Sequence, residues 1–193
     1  MRFPGATHLV LGFQVKSDAE QFWAELTERF RRFALELDPE KTRLLEFGPV
    51  ANRKRRGEGK PETFNFLGFT HSCSETKAGR FTVRRQTIRK RLQAKLHEVK
   101  TELRRRMHDP IPKVGAWLRA VVLGHIRYFG VPMNGLALNA FRSQVGWLWH
   151  RVLLRRSQCS RVRWARMVRL IARWLPSVRI VHPYPLRRMG VVT

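Results

Sequence analysis

From Ile88 to Trp174 the apolar residues recur every three or four positions, the spacing that places them on one side of an α-helix. Ile88, Leu92, Leu96, Val99 and Leu103 mark a first long helix, ended before Asp109-Pro110. Val114, Trp117, Leu118, Val121, Val122, His125 and Phe129 mark a second, stopped at Gly130-Val131-Pro132. Leu138, Phe141, Val145, Leu148, Val152 and Leu153 mark a third, and Trp164, Met167, Ile171 and Trp174 a fourth, ended by Pro176. Each stripe needs a partner to bury against, so this part of the chain is expected to form a helical bundle. The stretch Arg179 to Arg188 carries Pro183 and Pro185 and reads as extended.

Upstream the pattern is mixed. His8 to Phe13 (HLVLGF) reads as a short buried strand. Ser17 followed by Glu20 has the spacing of a capping box, and Phe22, Leu26, Phe30, Phe33 and Leu37 predict a helix running to Asp38-Pro39. Arg43 to Phe47 reads as a strand stopped by Gly48-Pro49, and Asn52 to Pro61 as a basic loop. Thr63 to Phe69 (TFNFLGF) alternates as a half-buried strand does, and Phe81-Thr82-Val83 suggests one more after a turn at Lys77-Ala78-Gly79. The expected fold class is α+β, mainly α: a small mixed part up to about Arg84, then helices.

Charge narrows the function. The chain has 39 Lys and Arg against 14 acids, a net charge of +25, and every acid lies at or before Asp109. The 15 bases beyond Pro110 are Lys113 and 14 arginines. Self-repulsion on this scale favours a polyanionic partner, and Arg is suited to forked phosphate contacts and to stacking on bases. Nucleic acid is therefore expected, with an anionic membrane surface as the rival. No apolar run approaches the roughly 18–20 residues that span a bilayer, and Met1 to Gly5 lacks the apolar core of a signal peptide. Cys73 and Cys159 stand alone, which fits a reducing, cytoplasmic setting.

The candidate contacts are basic clusters. Arg53, Lys54, Arg55, Arg56 and Lys60 crowd one segment, as a phosphate grip or as a solvated loop. Arg84, Arg85, Arg89, Lys90, Arg91, Lys95, Lys100, Arg104, Arg105 and Arg106 belong to the first long helix and its approach, a basic face for a nucleic-acid groove, with Arg84, Arg85, Arg89, Lys90 and Lys95 as the chosen contacts. Arg155 and Arg156 follow the third helix, where they contact nucleic acid or complement the helix dipole. Arg127, Arg163, Arg166, Arg187 and Arg188 complete the set. The tryptophans of the helical part either stack on bases or fill the core, and His125 reads as a core histidine. No GxxxxGK[ST], HExxH or GxSxG motif is present, and the helical half offers no carboxylates for a two-metal site.

Several spaced motifs then agree in order. His8-Leu9-Val10-Leu11-Gly12-Phe13, Lys41 to Gly48, and Thr63-Phe64-Asn65-Phe66-Leu67-Gly68-Phe69-Thr70-His71 resemble the later palm of a group II intron reverse transcriptase. Gly124-His125-Ile126-Arg127-Tyr128-Phe129, Arg155-Arg156-Ser157-Gln158, Trp174-Leu175-Pro176 and His182-Pro183-Tyr184-Pro185 resemble its thumb and maturase region. The resemblance implies a partial palm over 1–84, a thumb-like bundle over 85–156 and a maturase segment over 157–193. Where that family carries Tyr-Ala-Asp-Asp, this sequence reads Gly5-Ala6-Thr7-His8, so the metal-binding aspartates are absent. The resemblance thus implies a truncated, non-catalytic protein that binds structured group II intron RNA and assists its folding and splicing. It implies no cofactor, magnesium being expected only for a complete polymerase. The alternatives are a thumb subunit completing a separately encoded fingers–palm chain, a generic basic nucleic-acid-binding protein, and a degenerate gene fragment.

Overall fold

The computed structural model describes residues 9–39, 41–54, 62–76, 79–156 and 162–184. The chain divides at Glu62/Thr63 into two compact units. The fold is α+β and mainly α, as expected.

The first unit holds helices α1 (Lys16–Arg32) and α2 (Pro49–Lys54). Phe22, Trp23, Leu26 and Phe30 form the half-buried stripe of α1, and Phe13 packs on Phe22 with ring centroids 5.3 Å apart. The expected capping box does not form. The helix begins two residues early, at Lys16 with Val15 as its N-cap, so Ser17 already lies within its first turn, and its hydroxyl donates to Asp18 Oδ1 instead. The helix also stops at Arg32 rather than at Asp38. Ala34 adopts the left-handed conformation (φ 54°), the Leu35 N–H reaches back to Phe30 O, and the Ala34 N–H to Arg31 O. These two bonds make a Schellman ending, which outweighs the apolar spacing that continues through Phe33 and Leu37.

Two expected strands are not strands. Residues 9–13 and 43–47 run without regular structure, and Leu9, Val10 and Leu11 are exposed. An apolar run becomes a strand only when another strand pairs with it, and neither segment has such a neighbour among the described residues. The start of the expected basic loop is likewise helical, since Pro49 opens α2 and Asn52 bonds back to Gly48 O.

The second unit begins with an antiparallel meander, β1 (Phe64–Phe66), β2 (Phe69–Glu75) and β3 (Phe81–Thr87), in that spatial order. The segment expected as one strand is thus broken by a two-residue turn, with Phe66 paired to Phe69. Leu67 (φ 47°) and Gly68 (φ 84°) both take positive φ, as a type I′ turn requires. Gly suits this geometry; Leu67 is strained in it, and Tyr128 holds the turn by donating to Leu67 O at 2.8 Å.

Helices α3 (Arg89–Arg105), α4 (Ile111–Phe129), α5 (Gly135–Leu154) and α6 (Trp164–Trp174) follow, each within a few residues of its expected place. Their stripes meet in one core: Val99 and Leu103 of α3, Leu118 and Val122 of α4, Phe141 and Trp149 of α5, and Met167 of α6 are all nearly inaccessible. Two glycines allow α6 its close approach. A Cβ on Gly115 would lie 2.5 Å from the Trp174 ring, and one on Gly146 would lie 2.8 Å from Ile171. Asn134, buried between α4 and α5, ties the sheet to the bundle. Its amide donates to Thr87 Oγ1 and Phe129 O, both at 2.8 Å, and its oxygen accepts from the Thr87 N–H at 3.1 Å. Beyond α6 the chain is non-regular, and Val181 and His182 return to bond Gly130 O.

Candidate nucleic-acid interface

Not every arginine of the acid-free half faces outward for a ligand. Arg142 caps the end of α6, its guanidinium donating to Pro176 O at 2.9 Å and Leu175 O at 3.2 Å. Arg156 is half-buried and donates to Asp109 O, so it clasps the end of α5 to the α3–α4 loop. Before that half, Arg106 of α3 is half-buried too; it pairs with Glu102 and lies over the Trp117 ring at 5.1 Å. These side chains are committed to the fold.

Helix arithmetic separates the rest. At about 100° per residue, α3 buries Leu92, Leu96, Val99 and Leu103 and has two unlike flanks. One carries Arg89, Lys90, Lys100 and Arg104 with Gln93 and His97, and no acid. The other mixes Arg91, Lys95, Arg105 and Arg106 with Glu98 and Glu102, and the ion pairs that this helix makes among the described residues fall there. Arg105 and Arg106 hold the Glu102 carboxyl down to about 2 by direct hydrogen bonds. The first flank therefore presents uncompensated charge, while Lys95 is engaged by Glu98 at 2.7 Å.

On α6, Arg166, Arg169 and Arg173 fall within about 60° of arc, an exposed stripe reached from Arg163 at the helix start. Trp164 lies on the opposite flank and stacks on Trp147 of α5, centroids 4.3 Å apart and planes 19° apart. Both indoles keep about half of their surface in solvent, 53% for Trp147 and 42% for Trp164. His150 meets Trp164 edge-on at 5.2 Å, and its Nε2 bonds Val162 O at 2.8 Å, which fixes the entry to α6. Arg151 and Arg155, one and two turns beyond Trp147, continue the same exposed side of α5.

The expected contacts are thus dispersed. Arg89, Lys90, Lys95, Arg127, Arg155, Arg163 and Arg166 are exposed on helices or at their ends. Arg84 and Arg85 are half-buried neighbours on β3 and so point to opposite faces of the sheet. Arg85 pairs across to His71, whose pKa is lowered by burial and then by that guanidinium. Arg53 and Lys54 end α2. Arg55, Arg56, Lys60, Arg187 and Arg188 lie outside the described residues. Lys100 and Arg104, read from the sequence as part of the basic face of the first long helix, are exposed there, and Arg151, Arg169 and Arg173 belong with the exposed bases although the sequence did not single them out. The Trp147–Trp164 pair was legible in part: Trp147 and Trp149 sit two residues apart on a helix, about 200° around it, so both cannot enter one core.

Among the described residues no group of three His, Cys, Asp or Glu side chains could hold a metal ion, and no helix is long and apolar enough to cross a membrane. Comparison with family models, with curated proteins and with solved structures gave no match.

Proposed function

We propose that this chain binds structured RNA through its helical part, and that it does so as a group II intron maturase-like protein rather than as an enzyme in its own right. The observation that carries the reading is the exposed Trp147–Trp164 stack beside Arg151, Arg155 and Arg163, in a half of the chain that has no acid. Exposed indoles cost apolar hydration that a stacked base removes, and arginine forks beside them meet phosphate. The Arg166–Arg169–Arg173 stripe, on the other flank of α6, and the acid-free flank of α3 offer further phosphate contacts, of the kind that dominate binding to an RNA helix. The maturase assignment rests on the ordered motif series in the sequence.

The test is a titration of the protein with a folded group II intron RNA at several salt concentrations, followed by tryptophan fluorescence. Affinity should fall steeply with salt. The double variant Arg166→Glu/Arg169→Glu should reduce the log–log slope by about 2, near one for each phosphate left without its arginine. Trp147→Ala should remove most of the quenching and weaken binding by roughly tenfold. Salt-independent binding, or equal binding to anionic vesicles, would sink the proposal. Primer extension with magnesium is expected to be absent from the chain alone.

A further inference from the structure

Between α3 and α4 runs a groove of about 580 Å³ that the RNA surface described above does not use. Its walls are mostly apolar, and small residues (Ala94, Ala120 and Gly124) keep it open. A Cβ on Gly124 would meet no atom within 4 Å. The packing therefore does not require glycine there, although glycine in mid-helix is less favourable than alanine. Tyr128 and Phe129 supply aromatic lining, and Arg91 and Lys95 bring positive charge to it. Lys95 is paired with Glu98, which also lines the groove, whereas Arg91 has no carboxylate partner among the described residues.

His125 also lines the groove. It is only 8% exposed, it stacks on Phe141 at 3.8 Å, and its Nε2 is buried with no hydrogen-bond partner. A buried polar nitrogen left unpaired is costly, and a small rotation of the ring toward the groove would let the polar edge of a ligand satisfy it. Burial, reinforced by Lys95, lowers the imidazole pKa to about 4, so the ring meets any ligand as a neutral group able to donate or accept.

A flat apolar face, a hydrogen-bonding edge and an attached anion are together the description of a nucleotide. We propose that the groove takes one unpaired purine nucleotide of the bound RNA, its base between the apolar walls with an edge toward His125 and its phosphate at Arg91. This rests on the RNA-binding reading and adds to it a preference for a strand with an extruded base over a continuous duplex.

Two RNA hairpins that differ only by one bulged adenosine test the inference, together with adenosine 5′-monophosphate as a free probe. The wild type should prefer the bulged hairpin by about tenfold, the worth of one stacked base. Gly124→Leu, which fills the groove from an open position, should erase that preference and leave affinity for the paired hairpin and the thermal melt intact. The monophosphate should shift the His125 imidazole resonances of the wild type saturably and leave those of Gly124→Leu unmoved. Equal affinity for both hairpins, a preference that survives Gly124→Leu, or His125 resonances that ignore the monophosphate would each overturn the proposal. If neither hairpin binds in a salt-dependent way while the monophosphate still moves His125, the RNA reading fails and the nucleotide groove stands.

Discussion

Ala34 shows how one residue can end a helix against its own apolar pattern. It holds the left-handed position of a Schellman ending, which costs a side chain roughly 1 kcal/mol that glycine avoids. Ala34→Gly is expected to stabilise the chain by about that amount without altering the structure, to be read as a higher urea midpoint. His125 is the second residue with a measurable signature. Its folded pKa of about 4 lies below the ordinary 6.5, so the unfolded chain takes up the proton first as pH falls. Its contribution to stability is complete above pH 6.5, declines as pH drops toward 4, and levels off below. His71, also lowered, acts with the same sign. The urea midpoint should therefore fall between about pH 7 and about pH 5, and His125→Phe should flatten that dependence. An unchanged profile in the variant would mean that other groups carry it.

At the scale of elements, α3 to α6 were legible because each apolar stripe continues for three turns or more and is punctuated by Pro or Gly. The sheet was legible only in outline. TFNFLGF alternates through a turn that reverses the chain at Leu67-Gly68, and nothing in the alternation distinguishes one strand from two. Leu67 is a poor turn residue; the turn is held by Tyr128, sixty-one positions away, a bond that no local pattern announces. The apolar runs at 9–13 and 43–47 read as strands because local preference does, yet pairing decides, and no pairing exists for them among the described residues. Asn134 is the corresponding joint between elements. Its amide satisfies groups of both β3 and α4, so Asn134→Ala should leave the Thr87 N–H without its acceptor and the Phe129 carbonyl with the Val131 N–H alone, and cost about 2 kcal/mol. The loss should appear in hydrogen exchange first at the amides of β3, and an effect confined to α6 would contradict this role.

For the whole molecule the charge of +25 sets two responses to salt with opposite signs. Added salt screens the self-repulsion of a chain with few acids, so the melting temperature should rise with ionic strength, while affinity for RNA should fall over the same range. A melting temperature that falls with salt would show that the ion pairs around Glu102 outweigh the excess positive charge. The class of fold and the helical bundle follow from the sequence alone, as does the expectation of a polyanionic partner, because periodicity and net charge are properties of composition and spacing that no packing can alter. The tertiary structure decided which bases are left exposed to meet one. Arg142 and Arg156 are indistinguishable from Arg151 and Arg155 in sequence, yet the first two bond backbone carbonyls across the fold and the others do not. It likewise decided that Trp149 is core while Trp147 is surface, and that His125 ends beside an open groove with a nitrogen unpaired. Each of these depends on where a helix face comes to rest against its neighbours, a long-range outcome of packing that residue spacing does not encode.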